Sequence, residues 1–263
     1  MFPLKFSPEV AKALKNNKPV VAIESTIFAH GLPSPDNYNC ALEIENIIKN
    51  NGATPAVIIL DQGYINIGCD KKLLEKISLD QNIVKVSTRD IAPTLVSKKC
   101  GATTVAGTII CATAANINLM VTGGIGGIHS NYNHSHDMST DLIELGRNKV
   151  SVVCSGVKSI LDIPKTLEFL ETLGIPIVGY KTNLFPSFYS TDSGLLNSFN
   201  AQSYDEIALL IDYHKSIQGG IIIANPPPKE FSIKVMKNSN FSYTHKKIFV
   251  LKSIEDNKTL LSY

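Results

Sequence analysis

No CxxC pair occurs among the five cysteines, Cys40, Cys69, Cys100, Cys111 and Cys154. Their odd number and scattered spacing argue against a disulfide framework or a cysteine zinc site, and fit a reducing, cytoplasmic compartment. Runs of lysine or arginine never exceed two residues and the formal net charge is only +2. That leaves no electrostatic footprint for nucleic acid or an anionic membrane surface. The richest apolar stretch, Val105 to Ala115, is interrupted by threonines and falls far short of a membrane span. Met1 to Val10 has no basic segment followed by an apolar one, so no signal peptide is expected. Internal repeats are missing too. The expected protein is soluble, with a small molecule as its partner.

What is present is enough apolar sequence for one sizeable core: 263 residues, 44% hydrophobic and 18% charged. Short, β-branched-rich apolar runs occur at Pro19 to Ile23, Ala56 to Leu60, Ile83 to Val86, Leu119 to Val121, Val150 to Cys154, Ile175 to Gly179 and Ile221 to Ala224. They lack polar alternation, as parallel strands covered on both faces do. Helical patterns lie between them. The first opens at Ser34-Pro35-Asp36, a cap with proline at the first helical position, and ends at Asn51-Gly52. Further helices are expected at Asp70 to Ile77, Ala102 to Ala115, Asp141 to Gly146, Ile163 to Leu173 and Tyr204 to Ile217. The expected fold is α/β, a largely parallel central sheet with helices on both faces, in a single domain.

Polar groups concentrate where predicted strands end, the place where ligands gather in a parallel α/β sheet. Glu24 follows the apolar run Val20 to Ile23, so burial could keep it protonated for general acid work, or it could simply cap a turn. Thr122-Gly123-Gly124-Ile125-Gly126-Gly127 could bring backbone N–H groups close to an anion, with Thr122 and His129 as extra donors, or be a permissive turn. Its spacing is neither a dinucleotide fingerprint nor a Walker loop. Asp137 and Asp141 are four apart around Ser139, a helix cap, so both carboxylates are expected on one face, suited to Mn or Mg or to the helix dipole. His134 and His136 offer a rival site for zinc. Lys158 stands alone in the uncharged stretch Cys154 to Ile160, where partial burial would make its amine a nucleophile.

Taken together, these residues resemble one family. Ala22-Ile23-Glu24-Ser25-Thr26-Ile27, His30-Gly31-Leu32-Pro33, Lys85-Val86-Ser87-Thr88-Arg89-Asp90, Gly101-Ala102-Thr103-Thr104-Val105-Ala106, Thr122 to His129 and Ser155-Gly156-Val157-Lys158 are similar to segments of pseudouridine-5'-phosphate glycosidases, also called pseudouridylate synthases. Pro186-Ser187-Phe188-Tyr189-Ser190 and Ala224-Asn225-Pro226 extend the resemblance, which runs from Phe6 to Pro228. It implies a lyase that reversibly splits pseudouridine 5'-phosphate into uracil and ribose 5-phosphate. Glu24 matches the family's proton donor to the ribose ring oxygen, and Lys158 the nucleophile that holds C1' as a Schiff base. Asp137 matches a Mn ligand. Ser139, Thr140 and Asp141 match the adjoining substrate-binding triplet, where the family usually has alanine in the middle. Lys85 and Val105 match further substrate-binding positions, and the family implies a homotrimer.

The end of the chain departs from that pattern. Residues 229–263 hold seven lysines against three acids, a net of +4, which leaves 18 basic and 20 acidic residues, or −2, in 1–228. The break falls at Pro226-Pro227-Pro228. A catalytic domain at 1–228 and a divergent tail at 229–263 are therefore expected. Because the family's asparagine-rich closing motif is not matched, the alternative reading is a catalytically weakened homologue that binds phosphorylated ribosides. Another Schiff-base aldolase of sugar phosphates is the reading that the residues alone would allow.

Overall fold

An unbroken apolar run, Ala56-Val57-Ile58-Ile59-Leu60, is fully buried and forms the centre of the longest strand. The computed structural model describes residues 1–228, so the expectations for the tail at 229–263 fall outside the described residues. Chain contacts divide it into two compact units, one ending at Val121 and the other beginning at Thr122.

The first unit holds β1 (Leu4–Phe6), β2 (Val20–Ile23), β3 (Thr54–Asp61), β4 (Tyr64–Ile67), β5 (Val84–Val86), β6 (Gly101–Thr103) and β7 (Leu119–Val121). Their order is β1-β4-β3-β2-β7, with β6 on β3 and β5 on β6. Pairing is parallel for β2 with β3 and β7, β1 with β4, and β5 with β6. It is antiparallel where β3 meets β4 and β6. The hairpin from β3 to β4 turns on Gln62 and Gly63, at φ of 51° and 80°. Positive φ at both central residues is the primed turn whose twist matches paired strands. Partners change along β3: Val57 pairs with Ile23 of β2, whereas Ile59 pairs with Ala102 of β6. The helices are α1 (Pro8–Lys15), α2 (Asp36–Asn50), α3 (Lys71–Leu79), α4 (Ile91–Val96) and α5 (Val105–Ala114).

The second unit contains β8 (Ile128–His129), β9 (Ser151–Cys154), β10 (Leu161–Asp162), β11 (Ile177–Tyr180), β12 (Phe199–Ala201) and β13 (Ile222–Ala224). Four of them form a wholly parallel sheet in the order β9-β13-β11-β12. The other two, β8 and β10, make a short antiparallel ladder. Here the helices are α6 (Tyr132–Ser135), α7 (Thr140–Arg147), α8 (Ile163–Thr172) and α9 (Tyr204–His214).

The α/β class and the mostly parallel sheet are as expected, and all seven predicted strands are present within a residue or two. Three local readings need correction. Pro35 occupies the cap position of α2 and Asp36 its first turn, with no side-chain cap from Ser34. The helix expected from Ala102 begins at Val105, because Thr104 caps it through the Gly107 N–H (3.3 Å) while Gly101–Thr103 is strand. The antiparallel strands β4 and β6 were not anticipated. Side-chain caps start most other helices: Ser7, Asp70, Ser139, Asp162 and Ser203 each accept a first-turn N–H. Among the described residues, no helix is long and apolar enough to cross a membrane.

Candidate active site

Glu24, Lys85 and Val105 belong to the first unit, and the other seven candidate residues to the second. Each group is built from local structure.

Glu24 leaves the end of β2 only 4% exposed, so its expected burial is present. The Thr26 hydroxyl donates to Glu24 Oε2 at 2.6 Å, which fixes the carboxyl group within its own turn. A π-helical turn, Ile27–Gly31, follows at once, a rare conformation that recurs beside functional sites. Beneath Glu24 lies a chain of fully buried hydroxyls. Ser25 Oγ donates to the Ile58 carbonyl (2.6 Å) and accepts the Thr103 N–H (2.8 Å). Thr103 Oγ1 donates to the same carbonyl (3.0 Å) and lies 2.8 Å from Thr108 Oγ1. These hydroxyls fill the point where β3 exchanges β2 for β6, and so tie the Glu24 turn to the strand that leads into α5.

Lys85 and Val105 are linked to that frame through β6. Lys85 pairs with Ala102, and the Thr104 N–H donates to the Val86 carbonyl at 2.9 Å, one residue before α5 begins. Lys85 is exposed and Val105 is buried. His30 lies near Lys85: burial, followed by the positive charge of Lys85, holds its imidazole below the ordinary value. Composition and spacing gave no hint of the roles of Thr103 and Thr108 or of the nearness of His30 to Lys85, because each depends on a fold-level contact.

In the second unit the glycine-rich loop is the hub. Thr122 donates its N–H to Val153 O, Ile125 to Gly156 O, and Gly126 to Asp141 Oδ2 at 2.8 Å. The open anion cradle expected there is thus partly filled by the protein itself, since three of its N–H groups already have internal acceptors. A Cβ on Gly126 would lie 2.3 Å from Ser139 Oγ, so only glycine allows this approach. Ser139 donates its N–H to Gly127 O (3.0 Å) and caps α7 through the Asp141 N–H (3.2 Å).

Asp137 and Asp141 do not share a helix face as expected. The Ser139 cap starts α7 at Thr140, so Asp137 stands outside the helix and is exposed, while Asp141 is 5% exposed and points into the loop. Thr140 is exposed. His129 Nε2 lies 3.7 Å from Asp137 Oδ2, and the His129 N–H donates to the Asp137 carbonyl. No group of three histidine, cysteine, aspartate or glutamate side chains that could hold a metal exists among the described residues. A zinc cage around His134 and His136 is therefore not built. One exposed carboxylate still fits a hydrated hard ion that keeps most of its waters.

Lys158 joins the same hub through its backbone, donating its N–H to Ile125 O at 3.1 Å, and Ile125 bridges Val157. Its side chain is exposed, contrary to the expected partial burial, because the burial ends at Val157. A groove of about 700 Å³ opens elsewhere in this unit, walled by Leu167 and Glu171 of α8, Leu195, Leu196 and His214. None of the candidate residues lines it, so it is not the site assembled above.

Comparison with known proteins places the chain in context. The sequence signature described as indigoidine synthase A like protein matches residues 9–243. A pseudouridine-5'-phosphate glycosidase of Staphylococcus aureus is 46% identical over 232 residues, 88% of this chain and 76% of that one. One from Legionella pneumophila is 48% identical over 227 residues, covering 86% and 74%. Among solved structures, the prealnumycin C-glycosynthase AlnA in complex with ribulose 5-phosphate superposes with a TM-score of 0.89 at 27% identity, over 99% of this chain and 96% of that chain.

Proposed function

The chain belongs to the indigoidine synthase A like family, and from that membership we propose that it is an enzyme that reversibly breaks the C-glycosidic bond of pseudouridine 5'-phosphate, giving uracil and ribose 5-phosphate. The observation that carries this is its likeness to pseudouridine-5'-phosphate glycosidases, through a family match spanning every candidate residue from Glu24 to Lys158.

Each step falls to a residue of this chain. Lys158 Nζ adds to C1' as the C1'–O4' bond breaks, and Glu24 delivers its proton to the departing ring oxygen. The amine releases a proton, and its lone pair forms the iminium as the C1'–C5 bond breaks. The electron pair of that bond passes to uracil C5, which takes up the released proton. Water hydrolyses the iminium, freeing ribose 5-phosphate and returning the proton to Glu24, so one water is consumed per turnover. A carbon leaving group has no heteroatom to protonate, and the nitrogen lone pair, by forming the iminium, drives the bonding electrons onto the uracil ring. What supports the acid role is a buried carboxyl group held by Thr26. For Lys158, it is an exposed amine on a backbone anchored to Ile125.

Lys85 with the N-terminus of α5 at Val105 suits the phosphate, and Thr122, His129, Ser139, Thr140 and Asp141 suit the sugar and base. Mn bound at Asp137 would supply a template for water and ligand and neutralise charge. A homotrimer in the cytoplasm completes the reading, and sedimentation of the purified protein measures the first of these. The direct test follows the ultraviolet change of uracil release from pseudouridine 5'-phosphate, with and without Mn. Borohydride trapping with ribose 5-phosphate should put the sugar on Lys158. Trapping at another lysine with Lys158→Ala still active would overturn the mechanism, and no uracil release at all would overturn the function.

A further inference from the structure

Phe188 carries a backbone conformation that its size does not favour. Its φ is +58°, a region that bulky side chains seldom enter unless the surroundings impose it. Those surroundings are specific. The Phe188 N–H donates to Ser155 O at 2.8 Å, Ser187 bridges Gly156, and the Ser187 N–H donates to Ser190 O. The segment Ser187 to Ser190 is thereby laced to the turn that leads into Lys158. The ring lies so close over Gly124 that a Cβ there would sit 2.3 Å from Phe188 Cδ2, and Tyr189 meets it edge-on at 4.3 Å between centroids. Phe188 nevertheless stays half-buried rather than enclosed.

We propose that Phe188 is the aromatic platform for the uracil ring, a specificity-determining residue beside the Lys158 turn. The inference rests on the function proposed above. Its chemistry is that of a flat, neutral pyrimidine, which gains by stacking on a π-face and by leaving water. The neighbours that the ring itself meets, Gly124 and Tyr189, bring no charge that would favour a phosphate or a cation there. Its fixed position beside the turn before Lys158 places a base-sized surface at the loop that carries the proposed nucleophile. Gly124 follows from this arrangement, because any side chain there would displace the ring.

Binding of pseudouridine 5'-phosphate and of ribose 5-phosphate to the full chain would be measured by calorimetry for the parent, Phe188→Tyr and Phe188→Leu. Leucine keeps apolar cover over Gly124 but removes the π-face. Phe188→Leu should weaken the uracil-containing ligand by about tenfold, the equivalent of one lost base stack. Ribose 5-phosphate, which has no base, should bind as before, and Phe188→Tyr should stay within about twofold for both. Equal loss of both ligands in Phe188→Leu would mean that the ring only props the glycine-rich loop, and the proposal would fail. Unchanged binding of both would sink it as well. Uracil release by the parent in the same preparations reports on the parent function separately, since a protein that binds but does not turn over still reveals the ring's role.

Discussion

Asp141 Oδ2 accepts the Gly126 N–H at 2.8 Å with the side chain almost fully buried, so it serves the glycine-rich loop as a built-in acceptor. Asp141→Ala would leave that N–H without its acceptor and should lower stability by about 1–3 kcal/mol in urea denaturation. Asp141→Asn, which keeps an acceptor oxygen, should lose less. Equal stability of Asp141→Ala and the parent would show that the contact holds nothing together.

Thr103 is the corresponding device in the first unit. Thr103→Val keeps the shape but removes the hydroxyl shared by Ile58 O and Thr108. We expect a stability loss of about 1–3 kcal/mol, together with a lower kcat at nearly unchanged KM, because the Glu24 turn keeps its Ser25 contact to the Thr103 N–H but loses the hydroxyl link beside it. Thr103→Ser should recover most of both. A KM effect without a kcat effect would argue against positioning of Glu24.

His30 gives a pH-dependent readout. Its imidazole is held below the ordinary value, first by burial and then by Lys85. Between the folded and the ordinary value the unfolded chain binds more protons than the folded one, so this group makes stability rise with pH across that window. It withdraws stability as the pH falls through the ordinary value. Lys85→Met should raise the value seen by NMR titration only partway, since burial remains. Ribose 5-phosphate should raise it too if the phosphate sits at Lys85. A titration that ignores both changes would separate His30 from that site.

Asp137 is exposed, and its substitution should leave the fold intact. Asp137→Ala should abolish Mn binding detected by electron paramagnetic resonance, while joint replacement of His134 and His136 by alanine should leave it. The reverse result would restore a nitrogen-rich metal site.

Much of this fold was legible because its parallel strands are apolar on both faces, and Val20 to Ile23 or Val150 to Cys154 announce that directly. The strand at Tyr64–Ile67 did not, since Asn66 is polar yet buried, with its side-chain amide donating to Ile59 O at 3.2 Å. Gly101–Thr103 was hidden by small residues running into a helix. The burial of Glu24 followed from the run before it. The inward turn of Asp141 and the exposure of Lys158 did not, because each is decided by a partner or boundary that sequence spacing does not reveal.

The change of partners along β3 also limits where this chain can vary in length. Val57 is committed to Ile23 and Ile59 to Ala102, with a single carbonyl, Ile58 O, between the two ladders. Adding or deleting one residue there would turn every side chain beyond it to the opposite face, on both neighbours at once. The same change at Gly52, where an added Cβ would touch nothing within 4 Å, would stay local. Natural insertions and engineered tags should therefore be accepted at the turn before β3 and rejected at its middle.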